Sequence, residues 1–174
     1  MAKTYNTFTN VATGDVYTAA SHNAILTNLA GYRVPPAARV TRASQNINNS
    51  TWTFVDTWVQ DYDTDDMWTT PNNYVEIQTA GVYLIAWGGS FASNATGSRI
   101  ASLSLNDTGA GAGAIAGGVI GRASNAATSQ DINGSVVQTF VAADKLRLSV
   151  WQNSTVTLAL TSAYITATWL GQVS

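Results

Sequence analysis

The sequence contains no cysteine and no apolar run that approaches the length of a membrane helix. Without cysteine, neither a disulfide nor a thiolate metal site can hold the fold. A helix that crosses a bilayer needs about 20 mainly apolar residues, and the opening Met1–Thr4 does not begin a signal peptide. We therefore expect no membrane insertion, and a protein that acts where it is made or leaves the cell as part of a larger particle.

Charge is scarce as well. Asp, Glu, Lys and Arg make up 10% of the 174 residues, against about 25% in a typical soluble domain, whereas hydrophobic residues reach 45%. A surface with so few charges does little to repel its neighbours, so we expect other subunits to cover much of it. The arginines and lysines are scattered, which argues against a nucleic-acid-binding patch.

Histidine is nearly absent, and His22 is the single example. Serine can act as a nucleophile only with a nearby base, and His22 lies near no acid and no candidate nucleophile in the sequence. The glycine-rich segment Gly109–Gly121 lacks the Lys-Ser/Thr ending of a phosphate-binding loop and does not match the dinucleotide-binding spacing. We predict no catalytic residue, no cofactor and no enzyme activity.

The clearest strand pattern lies within Tyr74–Asn106, where large apolar residues alternate with small ones. A period of two is typical of a β-strand whose apolar side faces the core. Gly81 precedes the run and can adopt the positive φ of a tight turn. Leu84 is the one bulky residue on the other side of the strand. The residues predicted to face inward are Tyr83, Ile85, Trp87 and Phe91.

Short strand patterns separated by polar turns continue through residues 39–174. Regular spacing of this kind predicts an all-β fold, either an antiparallel sandwich or a jelly roll. We interpret the Gly- and Ala-rich Thr108–Gly121 as a flexible or closely packed segment, and Gly109–Gly121 within it as a structural loop or a subunit contact. The other predicted strands are Arg39–Ile47, Thr51–Val59, Ser135–Val141, Lys145–Trp151, Val156–Leu160 and Tyr164–Leu170.

Residues 1–38 lack this pattern and predict an extended N-terminal arm followed by a short helix. Thr18 can cap a helix over Ala19–Ala30, and Gly31 is the predicted stop. Pro35-Pro36 then imposes an extended link to the β region. We therefore divide the chain into a unit of residues 1–38 and a β domain of residues 39–174.

The predicted helix carries a narrow apolar stripe of Ile25, Leu26 and Leu29. A helix of this length with a single stripe is not stable in isolation, so it needs a partner surface. We predict that residues 1–38 anchor the protein to a larger particle and that these three side chains make the anchoring contacts.

Several short segments occur in an order that resembles a known family. They are Asn48–Thr53, Asp65–Trp68, Tyr74–Ile77, Ala80–Ile85, Arg99–Asn106, Ala143–Leu148 and Tyr164–Gly171. The succession resembles the tumour-necrosis-factor-like jelly roll, in its complement globular-head branch, over about residues 39–171. This resemblance implies a tight homotrimer whose inner sheets meet at a threefold axis.

The same module also occurs on bacteriophage virions, and Thr13–Ala20 with the following helix resembles the N-terminal arm of small phage structural proteins. These resemblances imply a virion structural protein, a trimeric capsid decoration or a small head or tail fibre. Its partners would be other copies of itself and, through the arm, other capsid or tail proteins. The alternative is a receptor-binding adhesin that recognises a host surface glycan.

Two further sets of residues could bind a ligand. Asp61, Asp63 and Asp65 have the spacing that begins a calcium loop, but Asp66 stands where glycine is needed and Asn72 where a bidentate glutamate would close the site. We therefore expect a solvated loop and no metal site. The six tryptophans could stack on sugars, yet most are expected in the core or in trimer contacts. The one that we predict to face outward, as a surface contact, is Trp151, because it is out of phase with the apolar residues of its strand.

Overall fold

The computed structural model describes residues 18–125 and 128–173, which form one helix and eleven strands. The extended arm predicted upstream of Thr18 lies outside the described residues. Helix α1 spans Ala19–Arg33. The strands are β1 Ala37–Arg42, β2 Gln45–Ile47, β3 Thr53–Phe54, β4 Val59–Asp63, β5 Val75–Glu76, β6 Gly81–Phe91, β7 Asn94–Leu105, β8 Ala114–Asn125, β9 Gln130–Phe140, β10 Lys145–Gln152 and β11 Leu158–Gly171.

The strands form two sheets, and the pairings within each sheet are antiparallel. The first sheet has the order β4-β1-β11-β6-β9, with β2 also paired to β11. The second sheet has the order β3-β10-β7-β8, with β5 also paired to β10. Because strands distant in sequence are neighbours in both sheets, the arrangement is a jelly-roll sandwich. The predicted fold class is confirmed.

The core lies between the two sheets, and β6 lies at its centre. The alternation read from the sequence is confirmed, since Tyr83, Ile85, Trp87 and Phe91 are fully buried. Each large side chain of this kind contributes about 1.5–3 kcal/mol by leaving water. The second sheet contributes the facing apolar side chains, which are Ala101, Leu103, Leu146, Leu148 and Val150.

The Gly- and Ala-rich segment is more regular than the sequence indicates. We expected a loop over Thr108–Gly121, but residues from Ala114 onward form β8, which pairs with β7. Small residues are required there because a Cβ atom at Gly118 would lie 2.7 Å from the carbonyl oxygen of Leu103. A segment with low strand propensity is thus held in a strand by its close approach to β7.

Strand β11 is longer than predicted. The sequence suggested two strands separated by Thr161-Ser162, but Leu158–Gly171 is continuous and the register with β6 shifts between Leu160 and Ser162. The polar break is therefore a β-bulge rather than a turn. Strand β9 also begins earlier than the predicted Ser135, at Gln130.

The first part of the β region is more broken than predicted. Arg39–Ile47 is not one strand, because β1 ends at Arg42 and β2 begins at Gln45. Within Thr51–Val59, Thr53–Phe54 forms the short β3 and Val59 already belongs to β4. The positive φ of 55° at Ser50 and of 52° at Thr57 turns the chain at both ends of this stretch, which an uninterrupted strand does not allow.

Helix α1 begins where the sequence predicted, because the Thr18 hydroxyl accepts a hydrogen bond from the Ser21 amide at 3.1 Å. It does not stop at Gly31 but continues to Arg33. The residue before a proline is disfavoured in helical conformation, so Pro35 rather than Gly31 ends the helix. In the described part of the chain, no helix has the length and apolar content needed to cross a membrane.

Candidate subunit interface

On the side of the first sheet that points away from the core, the part formed by three adjacent strands has almost no charge. These strands, β11, β6 and β9, contain one charged residue along their described length, Asp131. Alternation along each strand gives the outward side chains. They are Val82, Leu84, Ala86, Gly88 and Ser90 on β6, Asp131, Asn133, Ser135, Val137 and Thr139 on β9, and Ser162, Tyr164, Thr166, Thr168 and Leu170 on β11. We call this set the neutral face.

One end of the neutral face is apolar. Leu84 lies opposite Val137 on one side and Thr168 on the other. Leu84 and Val137 are 38% and 58% exposed, and Leu170 is exposed beyond them. Solvated aliphatic side chains at adjacent strand positions form a continuous apolar patch, which is typical of a surface that another protein covers.

The middle of the neutral face is nearly flat. The row across it runs from Asn133 through Gly88 to Tyr164. The Tyr164 hydroxyl lies 3.3 Å from Asn133 Oδ1, so the ring reaches across the strand that carries Gly88. A Cβ atom at Gly88 would lie 2.2 Å from the same Asn133 oxygen. Because glycine has no side chain, the surface does not protrude at this position, and the side chains of Asn133 and Tyr164 meet above Gly88.

A cavity of about 450 Å³ opens beside the neutral face, between β1, β4 and β11. Arg39 lies over the Tyr164 ring, with Cζ 5.4 Å from the ring centroid, and its Nε is 3.0 Å from Asp61 Oδ2. Arg42 also lines the cavity, and its Nη1 donates to the Thr57 carbonyl at 3.2 Å. The lining of the cavity thus includes two arginines and an aromatic residue, and the Asp61 carboxylate binds one of these arginines.

The predicted anchoring side chains Ile25, Leu26 and Leu29 lie on α1 and are 36%, 50% and 55% exposed. Next to this stripe on the helix, Asn28 is buried and the Tyr32 ring centroid lies 5.9 Å from that of Trp169. The three apolar side chains are therefore left accessible beside the contact that Tyr32 makes with the β domain. The solitary His22 is exposed on the same helix, within the described chain.

The acidic loop does not bring its carboxylates together. Asp61 binds Arg39, Asp63 accepts hydrogen bonds from the amides of Asp65 and Trp68, and the buried Asp65 accepts one from the Thr79 hydroxyl at 2.7 Å. Each carboxylate serves a different structural contact. Among the described residues there is no cluster of three or more groups that could hold a metal ion.

The exposed face of the second sheet carries an aromatic and cationic ridge. Trp151 is half-buried on the side of β10 opposite Leu148 and Val150, and its ring centroid is 6.5 Å from that of Trp52. Further along β10, Arg147 lies between the rings of Phe54 and Tyr74, at 5.5 and 5.1 Å. A Cβ atom at Gly111 would lie 2.5 Å from the Trp52 ring, so the loop before β8 covers one face of that indole.

A buried arginine was not suggested by the sequence. Arg99 is fully buried and donates from Nη1 to the carbonyls of Thr96 and Ser98, at 3.0 and 3.1 Å. Burial lowers the pKa of Arg99, because removal from water disfavours its charged form. The carbonyl groups belong to the irregular beginning of β7, where the register with β8 shifts. Arg99 therefore holds this segment in shape, a role that depends on three-dimensional burial and leaves no mark in sequence periodicity.

Comparison with solved structures identifies the architecture. The globular domain of zebrafish complement 1qA superposes with a TM-score of 0.59 at 14% identity, over 79% of this chain and 99% of that one. Murine APRIL gives a TM-score of 0.53 at 12% identity, over 76% and 98%. Eiger TNF from S. frugiperda gives 0.51 at 14% identity, over 80% and 96%. The fold is the C1q/TNF jelly roll.

No protein-family model matches the chain, and a search of curated proteins finds no match. The C1q/TNF jelly roll that the sequence motifs suggested is confirmed at the level of fold. Its occurrence on a bacteriophage particle stays a prediction. The residues that sequence reasoning missed are those of the neutral face, such as Leu84, Val137 and Tyr164. The sequence could have indicated this face through the absence of charged residues in the strands that carry these side chains.

Proposed function

We propose that the protein is a homotrimeric structural module in which the neutral faces of three copies meet around a threefold axis. The observation that carries this proposal is the near absence of charge along β11, β6 and β9, combined with exposed Leu84 and Val137. In a monomer these side chains stay in water, whereas subunit contact buries them and gains about 25 cal/mol per Å² of apolar surface.

The neutral face is elongated along the strands, because its rows are stacked one above another on three neighbouring strands. For three copies to bury this strip equally, the axis must run along the strands. The homotrimer implied by the resemblance to the C1q/TNF jelly roll agrees with this geometry. Sedimentation velocity of the full chain at micromolar concentration tests it: we expect a single trimeric species, and a stable monomer would contradict the proposal.

We further propose that the trimer is displayed on a virion as a surface decoration or fibre protein and that α1 attaches it there. This part is supported by the exposed Ile25, Leu26 and Leu29 and by the likeness of the leader to N-terminal arms of phage structural proteins. Electron microscopy of labelled particles tests the location. Particles that lack the protein should lose stability if it decorates a capsid.

A receptor-binding adhesin is the second candidate. It is favoured by the half-buried Trp151–Trp52 pair beside Arg147, because this ridge lies on the second sheet and stays exposed when the first sheet is covered. Aromatic rings stack on the apolar faces of sugars, and arginine can bind their hydroxyl or carboxylate groups. Binding on a glycan array that is lost in Trp151→Ala would support this role, and no binding would favour the structural one.

A further inference from the structure

The two flanks of the neutral face carry opposite charges, and the ion pairs of the described residues do not match all of them within one copy. On one flank, Arg39 and Arg42 line the cavity between β1, β4 and β11. On the other flank, Asp131 is exposed on the edge strand β9. The charges lie on opposite sides of the same surface, so they cannot reach each other inside one subunit.

The cavity has an excess of positive charge. Its lining includes two arginines and no acidic residue, and the nearby Asp61 lies 3.0 Å from Arg39 Nε. Arg42 binds the Thr57 carbonyl and makes no ion pair in the described part of the chain. One positive charge in a partly enclosed cavity is therefore left without a counterion, and a carboxylate brought into the cavity would be attracted to it.

Asp131 has the complementary charge and forms no ion pair with another residue of the described chain. Its carboxylate accepts a hydrogen bond from the Ser90 hydroxyl on the next strand. Arg122 lines the same surface hollow as Asp131, yet residues 18–125 and 128–173 contain no ion pair between the two. Arg122 is thus the competing partner for Asp131 within the same copy. The experiment must distinguish a pair between Asp131 and Arg122 of one copy from a pair between Asp131 and an arginine of another copy.

The cavity and Asp131 lie at the same level along the strands. Asp131 is opposite Ser90, Ser90 is opposite Ser162, and Ser162 lines the cavity. A rotation about an axis that runs along the strands moves a residue around the axis and leaves its level unchanged. In a threefold assembly of this kind, the edge strand β9 of one copy therefore reaches the next copy at the height of its cavity.

We propose that Asp131 of one copy enters the cavity of the neighbouring copy and pairs with Arg42 there, beside Arg39. The contact is heterologous: each copy offers its β9 edge to one neighbour and its cavity to the other, and three such contacts close the ring. The inference rests on the proposed homotrimer and adds to it the residues that select and orient the partner copy.

Charge reversal tests the pairing, with sedimentation velocity of the full chain over a range of concentrations as the readout. Asp131→Arg and Arg42→Glu should each weaken trimerisation by at least about tenfold, because like charges then meet in a confined site. The double variant Asp131→Arg/Arg42→Glu should restore most of the affinity. Glu76→Arg, which reverses an acidic residue of the second sheet, should leave assembly unchanged.

Arg42 also supports the Thr57 carbonyl, so Arg42→Gln is a second variant that keeps a donor at this position. It too should weaken assembly, and circular dichroism melts should confirm that each variant is folded. A wild-type monomer overturns the proposed function itself. A wild-type trimer that Asp131→Arg leaves intact overturns the pairing alone. Rescue of Asp131→Arg by Arg122→Glu but not by Arg42→Glu also overturns it, since Asp131 then pairs within its own copy.

Discussion

The indole of Trp87 packs directly against Gly134 on the neighbouring strand. The two residues are paired across β6 and β9, and a Cβ atom at Gly134 would lie 2.6 Å from Trp87 Cζ2 and 2.6 Å from Ile120 Cδ1. The largest buried side chain of the core is thus accommodated because the adjacent strand has no side chain at that point.

Gly134→Ala should destabilise the protein by about 1–3 kcal/mol, because the added methyl group overlaps Trp87 and the core must shift to accept it. Gly171→Ala is the matched control, since a Cβ atom there would have no heavy atom within 4 Å. Urea unfolding measures both free energies. Equal effects of the two substitutions would mean that Trp87 is not packed against Gly134 in the way described.

Trp87→Ala should cost about 3–5 kcal/mol, because the indole is fully buried and leaves a cavity. Trp151→Ala should cost far less, since Trp151 is half-buried on the exposed face of the second sheet, where it contacts Trp52. Thermal melts of both variants measure the two losses of stability. A loss for Trp151→Ala as large as that for Trp87→Ala would argue against a surface role for Trp151.

Val137→Lys should weaken the trimer and leave the fold of each copy intact. Val137 is 58% exposed on the neutral face, so a lysine is tolerated in the monomer but places a charge in the proposed interface. Val119→Lys is the matched control, because Val119 is 53% exposed on β8 of the second sheet. Sedimentation velocity compares the oligomeric states of the two variants. Dissociation caused only by Val119→Lys would mean that the interface lies on the second sheet, which contradicts the proposal.

Deletion of residues 1–34 should leave a cooperatively folding β domain that no longer attaches to particles. The cut must spare Pro35 and Pro36, because Thr64 Oγ1 donates to the Pro35 carbonyl at 2.7 Å and the Trp169 amide donates to the Pro36 carbonyl at 2.9 Å. Circular dichroism and a particle-binding assay report the two properties separately. Failure of the shortened chain to fold would show that the helix belongs to the core.

The anchoring contact itself can be tested without deletion. Leu26→Ser/Leu29→Ser should abolish attachment with little loss of stability, because both side chains are exposed on α1. Tyr32→Ser, on the side of the helix that meets Trp169, should instead loosen the packing of α1 on the sandwich. If the double leucine variant still attaches, the anchoring contacts lie in another part of the chain.

Much of the local structure was predictable. The alternation around Trp87 determined the core side of β6, Thr18 determined the start of α1, and the motif order indicated the fold. The failures share a cause: strand β8 and the continuity of β11 depend on partners far away in the sequence. Glycine and alanine do not favour a strand by themselves, and β8 is extended because β7 supplies its hydrogen bonds.

Composition and strand periodicity were sufficient to predict which side chains must leave water and how few charges remain at the surface. The pairing of strands in three dimensions was needed to show that β11, β6 and β9 lie side by side, so that their uncharged outward residues join into one face with Asp131 and Arg42 on opposite flanks. A period of two divides a strand into two faces, but it does not specify which strands pair with it. Neighbours are chosen by long-range pairing, whose cost in chain entropy is repaid by the packing of the whole core.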